Sequence, residues 1–322
     1  MPGQDSATAD RIAARNVTSG NVSKSPFGPA DQIGMLNLIT ADISQSIMRR
    51  ADVRAMIDLS VDLFPGMPTW TVGGEPPFQI SMAHTPRGSA VDDPVHVGRG
   101  QNEHISWSAD SVSMFTHSGT HIDALNHFGY DGRIWNGFSA DEHLGSTHWQ
   151  VCGVDAFPPI IGRGILLDVA GLHGVDVLPD SYGIGTDDVR GAIARQGVDL
   201  QVADIVLVRT GRGSVWPDAD RYLLREPGLN VEGATVLAEA GASAIGSDNI
   251  ALEALPAGNP ENWTPVHTYL LAECGVPIIE VIDLERLAAE KLYTFGFFGS
   301  SIKIRGGTGG PMRAMAMPLL DN

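Results

Sequence analysis

Short apolar runs alternate with amphipathic segments through the second half of the chain. The runs are rich in Ile, Val and Leu, as is typical of buried strands, and the segments between them carry apolar residues at helical spacing. The predicted strands cover 164–169, 205–209, 243–248 and 276–282, and the predicted helices cover 186–195, 231–240 and 266–274. Alternation of strands and helices indicates an α/β fold with parallel strands.

The two ends of the chain and one internal segment differ from this pattern. Residues 1–25 are rich in Ser, Ala, Asn and Asp, and we expect a mobile arm or a clasp on a neighbouring subunit, followed by one domain over 26–322. Residues 71–103 are rich in Gly and Pro, which indicates a long functional loop or a hairpin. The last thirty residues contain apolar runs that predict antiparallel strands closing the sheet.

One further helix is predicted near the N-terminus, over residues 40–56. Thr40 precedes the helical pattern, and its hydroxyl group is suited to cap the first turn. Ile43, Ile47 and Met48 are spaced so that they would lie on one face of the helix. We expect that face to be buried.

Composition places the chain among ordinary globular proteins. Of its 322 residues 43% are hydrophobic and 18% are charged, and the net charge is −17. Such an acidic chain is a poor partner for nucleic acid or an anionic membrane. Cys152 and Cys274 are too few for a disulfide framework, so we expect both to be buried and reduced. No apolar run reaches about 18 residues and no signal pattern begins the chain, so a cytoplasmic protein is expected.

Three histidines and a carboxylate fall within eleven residues: His117, His121, Asp123 and His127. Imidazole nitrogens and a carboxylate oxygen suit Zn²⁺ or Mn²⁺. On a helix Asp123 would lie about 200° from His121, and on a strand His117 would lie about 13 Å from His121. A turn at Ser118 and Gly119, followed by an extended segment from His121, removes both difficulties. The structural alternative is a group of polar loop histidines.

Other residues offer chemistry with weaker local support. Glu280 lies among apolar strand residues, where a buried carboxylate needs a cation, and His267 precedes it by thirteen positions. Asp248 ends a predicted strand and would either orient a metal ligand or cap a turn. His127 could be a metal ligand, a hydrogen-bonded loop histidine or a proton shuttle. Three aromatic residues could wall a flat substrate or belong to the core: Phe64, Trp70 and Phe115.

The segment His117–His127 resembles the signature of the metal-dependent cyclase family, usually His-x-Gly-Thr-His-x-Asp-x-Pro-x-His, with Leu125 where Pro is usual. That family includes bacterial kynurenine formamidases and isatin hydrolases. The likeness extends over about residues 55–320, and its flanking matches are Ile57–Ser60, Pro65–Trp70, His127–Gly132 and the region from His267 to Glu280.

This resemblance implies a swivelling β/β/α-type single domain with a mixed sheet and flanking helices. It implies acid–base work for His127, a second metal ion held by His267 and Glu280, and Asp123 as the bridge between two ions. The resemblance leaves open whether the site holds one ion or two, and whether the metal is Zn²⁺ or Mn²⁺. We also expect a small-molecule substrate and a homo-oligomer, either a dimer or a tetramer.

Three functions are compatible with these residues. The first is a metal-dependent hydrolase that cleaves a C–N bond of a small aromatic or cyclic amide with an activated water, or a lactone or ester hydrolase or cyclase with the same site. The second is a non-haem Fe(II) oxygenase that uses His121, Asp123 and His267. Its 2-oxoglutarate members need an Arg about ten residues beyond the last ligand, whereas the first Arg after His267 is Arg286. The third is a non-catalytic, metal-stabilised binding protein.

The glycine-rich segment 306–311 invites comparison with a phosphate-binding loop. It lacks the Gly-Lys-Ser/Thr ending, and no helical pattern follows it. We therefore expect a turn there and no nucleotide site.

Overall fold

The computed structural model describes residues 20–102 and 104–321. Residues 1–19, most of the predicted arm, lie outside the described residues. The part of it that is described lies against the domain: Lys24 Nζ donates to the backbone oxygen of Asn136 at 2.9 Å, and the Ser25 backbone N–H donates to Asn136 Oδ1 at 3.0 Å.

The strands and helices follow in this order. The strands are β1 (Ile57–Asp58), β2 (Gln79–His84), β3 (Ala109–Ser113), β4 (His121–Asp123), β5 (Ile160–Asp168), β6 (Gly183–Ile184), β7 (Ile205–Arg209), β8 (Gly228–Leu229), β9 (Ala244–Ser247), β10 (Ile278–Glu280), β11 (Thr294–Ser301) and β12 (Gly309–Met317). The α-helices are Ala41–Arg50, Pro86–Asp92, Arg99–Asn102, Ala140–His143, Val169–His173, Thr186–Gln196, Ala219–Tyr222, Val231–Glu239, Pro265–His267 and Glu285–Ala289. A π-helical segment, Thr268–Cys274, continues the Pro265–His267 helix, and short 3-10 turns connect other elements.

Within the described part of the chain, seven strands close into a barrel in the order β12, β11, β5, β7, β9, β10, β4. The pairing of β4 with β12 completes the ring, and β1 pairs with β12 outside it. Three pairs of the ring are parallel: β5 with β7, β7 with β9, and β9 with β10. The other pairs of the ring are antiparallel. The predicted mixed-sheet α/β single domain with flanking helices is therefore confirmed.

The parallel strands and their helices match the apolar pattern closely. Every residue of β7 is buried, as expected of a parallel strand whose two faces are both covered. The helices Thr186–Gln196 and Val231–Glu239 begin at the predicted residues and pack against each other. Gly275 ends the helical segment before β10 in a left-handed conformation, with φ of 65°. Local spacing was sufficient to predict this half of the fold.

The predicted N-terminal helix is shorter than expected. Thr40 caps it by accepting a hydrogen bond from the Ile43 N–H at 3.3 Å, but the α-helix ends at Arg50. Ile47 is buried, whereas Met48 is 61% exposed, so the prediction that Met48 shares the buried face was wrong. The helix packs against β5 and β11. Met48 is rotated about 100° around the helix axis from Ile47, and this places it outside the face that the two strands cover.

The segment 71–103 is part of a hairpin excursion. It contains β2 and two short helices, and β2 pairs with β3 in an antiparallel two-stranded sheet. Cys152 and Cys274 are both buried and neither forms a disulfide bond, as predicted. Among the described residues no helix is long and apolar enough to cross a membrane. The expected cytoplasmic location and the expected dimer or tetramer stay predictions.

Candidate metal centre

Strand β4 carries the centre of the candidate site because it lies between β10 and β12 in the barrel. Its alternation points His121 and Asp123 to the same face, two residues apart. In the pairing of β4 with β10, His121 lies directly opposite Glu280. The strand is entered through Gly119, whose φ of 60° makes the sharp turn that the sequence predicted.

The buried centre joins His121, Asp123 and Glu280. Nε2 of His121 is 3.2 Å from Glu280 Oε2 and 3.4 Å from Asp123 Oδ1. Nδ1 of His121 lies 2.8 Å from the carbonyl oxygen of Gly119, which can only accept, so Nδ1 carries the proton in the neutral ring. The lone pair of Nε2 therefore points to the two carboxylates, as a metal ligand requires.

His267 reaches the same centre from the helix that precedes β10. Its Nε2 is 3.3 Å from Glu280 Oε1 and 3.7 Å from Asp123 Oδ2. Its Nδ1 lies 2.7 Å from Oε1 of the buried Glu253, which also accepts the backbone N–H of His267 at 3.0 Å. A carboxylate on Nδ1 fixes the tautomer and turns Nε2 to the centre.

His117 contacts Asp123 through the same carboxylate oxygen that His121 approaches. Its Nδ1 is 2.6 Å from Asp123 Oδ1, and its Nε2 is 3.0 Å from Thr308 Oγ1. A β-carbon added at Gly309 would lie 2.6 Å from Cε1 of His117, so only glycine leaves room for this ring. The predicted turn is present only at the start of the glycine-rich segment, at Gly306, because Gly309–Pro311 already belong to β12 and form the wall beside His117.

His127 is more open to solvent than the other histidines of the motif. Its ring stacks on His117 with centroids 3.9 Å apart, and its Nε2 is 4.0 Å from Asp123 Oδ2. Burial, and after it the electrostatic effect of the neighbouring His117 ring, lower the pKa of His127 well below its usual range. A neutral imidazole beside the cavity can accept a proton at neutral pH.

The donor set fits a cation. Buried His121 Nε2, Asp123 Oδ2 and Glu280 Oε1 all lack a hydrogen-bond partner among the described residues, although such atoms are nearly always satisfied in folded proteins. Burial opposes protonation of His121, yet the carboxylates of Asp123 and Glu280 outweigh it and raise the pKa of His121 to about 10. Without an ion the centre thus draws a proton, because it carries more negative charge than it can hold unpaired.

Two groups of possible ligands share Asp123. One contains His117, Asp123 and His127, and the other contains His121, Asp123 and Glu280. In each group the donor atoms lie within 4.8 Å of one another. The grouping differs from the division implied by the resemblance, because His121 lies with Glu280 rather than with His117. Asp123 is the residue common to both groups.

An aromatic cavity of about 190 Å³ opens beside the histidines. Trp70 and Phe115 line it, together with Phe128 and Trp263, which the sequence did not indicate. Trp70 stacks on Trp263 at 6.0 Å between ring centroids. Phe64 packs edge-on against Trp216 and does not line this cavity. The structure therefore brings two of the three predicted aromatic residues to the cavity.

Asp248 does not contact the candidate ligands. Its Oδ1 accepts the backbone N–H of Thr210 at 2.9 Å, and its Oδ2 accepts the backbone N–H of Gly211 at 2.8 Å. Burial raises the pKa of Asp248 above its usual range. Its position matches the alternative of a turn cap, since it organises the loop that follows β7.

Besides Phe128, the sequence analysis did not predict the contributions of Glu253, Thr308 and Trp263 to the site. Glu253 follows a loop with no regular pattern. Its hydrogen bond to His267 is a tertiary contact, which the spacing of residues along the chain cannot reveal. Thr308 is the only polar side chain in the glycine-rich segment 306–311. A single hydroxyl group among glycines could have indicated a functional contact. Trp263 lies two residues before Pro265, where only its aromatic character marked it.

Comparison with known proteins agrees with this architecture. Residues 57–254 match a family model described as "Putative cyclase". A solved structure described as a novel cyclase is 26% identical, covers 90% of this chain and 96% of its own, and superposes with a TM-score of 0.80. Isatin hydrolase A from Labrenzia aggregata, bound to benzyl benzoate, is 20% identical with a TM-score of 0.60, covering 82% and 93%. Isatin hydrolase A from Ralstonia solanacearum is 21% identical with a TM-score of 0.60, covering 82% and 91%. No curated protein matches the sequence.

Proposed function

The chain belongs to the cyclase family, and from that premise we propose that it is a metal-dependent hydrolase that cleaves the C–N bond of a small aromatic or cyclic amide. One observation carries the proposal. Three buried donor atoms without partners, on His121, Asp123 and Glu280, converge beside an aromatic cavity. Donors arranged for a cation next to an apolar pocket are the elements of a metal hydrolase site.

We assign His121, Asp123 and Glu280 to one divalent ion, with His267 beside them, and His117 to the second group around Asp123. Nitrogen and carboxylate donors suit Zn²⁺ or Mn²⁺. A bound ion of this kind supplies a Lewis acid for the amide carbonyl and makes water acidic enough to act as the nucleophile. The second carboxylate favours this assignment over a non-haem Fe(II) oxygenase, whose facial triad contains one carboxylate.

We assign proton transfer to His127. Its pKa is lowered, so the ring is neutral and can take a proton from the attacking water. It also lines the cavity, so the same nitrogen can pass that proton to the leaving amide nitrogen as the C–N bond breaks. The stacked ring of His117 holds His127 in a fixed orientation for both transfers.

We assign the aromatic lining to substrate binding. Phe115 lies against His117 at 4.9 Å between ring centroids, and Phe128 lies against His267 at 5.0 Å. Rings on two sides of the histidines favour a flat substrate, which gains stacking and loses little conformational freedom.

The test is a substrate screen on purified protein of known metal content. Protein loaded with Zn²⁺ or Mn²⁺ is incubated with aryl formamides, lactams, imides and lactones, and the products are identified by mass spectrometry. We expect C–N cleavage that chelation abolishes and added metal restores. Turnover of lactones alone would replace the amidase assignment with the esterase alternative. Stoichiometric metal without turnover of any compound would favour a binding protein.

A further inference from the structure

Glu75 places a carboxylate in the wall of the aromatic cavity. It is part of the same lining as Trp70, Trp263 and Phe128. Oε2 of Glu75 accepts the Gly73 backbone N–H at 2.8 Å, which folds the loop so that the side chain is held in place. Oε1 has no hydrogen-bond partner among the described residues, so this oxygen is free to meet a ligand.

Apart from the histidines of the candidate metal centre, the charged residues that line the cavity are acidic. Its carboxylates belong to Glu75 and Glu280, and no Lys or Arg is among the described residues that line it. Glu280 has His121 and His267 within 3.3 Å and belongs to the proposed metal centre. For Glu75 the described lining residues supply no Lys or Arg, and its one hydrogen bond comes from the neutral backbone N–H of Gly73. Its charge is therefore the one that an incoming substrate meets without compensation.

We infer that Glu75 determines substrate selectivity: the cavity takes neutral or cationic aromatic amides and discriminates against those that carry a carboxylate. Aromatic faces attract cations through their quadrupoles, so Trp70 and Trp263 act in the same direction as Glu75. A carboxylate substituent placed beside Glu75 would lose solvation and gain repulsion, and the described lining residues include no Lys or Arg to offset either effect there. This inference rests on the proposed amide hydrolysis.

The kinetic test uses three formanilides that differ in one ring substituent: unsubstituted, 3-carboxy and 3-aminomethyl. In the wild type we expect kcat/KM to be highest for the aminomethyl compound and lowest for the carboxy compound. Glu75→Gln should reduce the ratio of aminomethyl to carboxy kcat/KM by about 5- to 30-fold, the scale of one partly solvated charge interaction. High salt should reduce the wild-type ratio in the same direction.

Glu261→Gln is the matched control. Glu261 is exposed and does not line the cavity, yet the substitution removes the same charge from a nearby loop. A reduced ratio in Glu75→Gln alone supports the inference. An unchanged ratio in Glu75→Gln, or an equal reduction in both variants, overturns it.

A binding measurement separates this inference from the proposed reaction. Phenethylamine, phenylacetamide and phenylacetate carry one ring with a cationic, neutral or anionic group, and calorimetry on the full-length zinc-loaded protein gives their dissociation constants. We expect Glu75→Gln to reduce the ratio of phenylacetate to phenethylamine dissociation constants by about 5- to 30-fold. Absence of amide turnover with this shift present refutes the proposed function and keeps the selectivity. Absence of the shift refutes the selectivity whatever the turnover.

Discussion

His121 and Glu280 face each other across the β4–β10 pair, with the histidine Nε2 3.2 Å from the glutamate Oε2. The two residues come from distant parts of the chain, and only the closed barrel makes them neighbours. Because Nδ1 of His121 donates to the carbonyl oxygen of Gly119, Nε2 is the ring atom that faces the carboxylates. An imidazole nitrogen and a carboxylate oxygen are the kinds of donor atom that hold a divalent cation.

Glu280→Gln tests how many ions the site holds. The substitution keeps the volume of the side chain and removes its charge, so it changes electrostatics more than packing. If two ions share Asp123, we expect metal content to fall from about two ions per chain towards one, with most activity lost. Elemental analysis beside a kinetic assay measures both. A wild type with a single ion that the variant retains would exclude the two-ion site, and full activity in that variant would remove Glu280 from the site.

His127→Asn distinguishes a proton carrier from a ligand. We expect turnover to fall about 10²–10⁴-fold, the usual scale of general acid–base catalysis, with metal content close to that of the wild type. His143→Asn is the matched control, because His143 lies on a surface helix away from the centre. Substantial loss of bound metal from His127→Asn alone would make His127 a ligand and end the shuttle assignment.

Glu253 should act on the metal through His267. Glu253→Ala removes the carboxylate that holds Nδ1 of His267, and we expect metal affinity to weaken about 10- to 100-fold. Glu253→Gln keeps an acceptor oxygen for Nδ1 and should recover part of that loss. Competition with a chromogenic chelator gives the affinities. Equal affinity in the wild type and Glu253→Ala, with both proteins folded by circular dichroism, would contradict the role.

Glu226 should make the stability of the protein depend on pH. It is fully buried, Oε2 accepts the Ile250 N–H at 2.9 Å, and Oε1 has no partner among the described residues. Burial raises the pKa of Glu226 from 4.5 to about 8. Between these values the folded protein keeps a proton that the unfolded chain releases. Stability is therefore fully present below pH 4.5 and is lost as the pH rises through 8.

Glu226→Gln removes this titration. From pH 5 to pH 8 the free energy of unfolding should decrease in both proteins, and the decrease should be roughly 3 kcal/mol smaller in Glu226→Gln than in the wild type. Urea unfolding at several pH values measures the difference, and the exposed Glu232→Gln is the control. Parallel pH profiles for the wild type and Glu226→Gln would show that Glu226 ionises normally in the folded protein.

Local sequence determined the parts of the site that neighbouring residues can define. The turn at Gly119 followed from the distances that His117, His121 and Asp123 must satisfy, and β4 has that form. The burial of Glu280 followed from its apolar neighbours, and the side chain is 3% exposed. Strand β7 and the helix from Thr186 followed from apolar spacing, which is a short-range property.

Tertiary structure decided which of these pieces meet. The pairing of β4 with both β10 and β12 closes the barrel and sets His121 against Glu280, and a shift of one residue in that register would turn His121 to the other face. The same long-range packing brings Glu253 within hydrogen-bond distance of His267. It also places Trp263, and not Phe64, in the cavity wall. Spacing along the chain encodes which face of an element is apolar. It carries no information about which distant element covers that face, because that choice is made by the packing of the whole barrel.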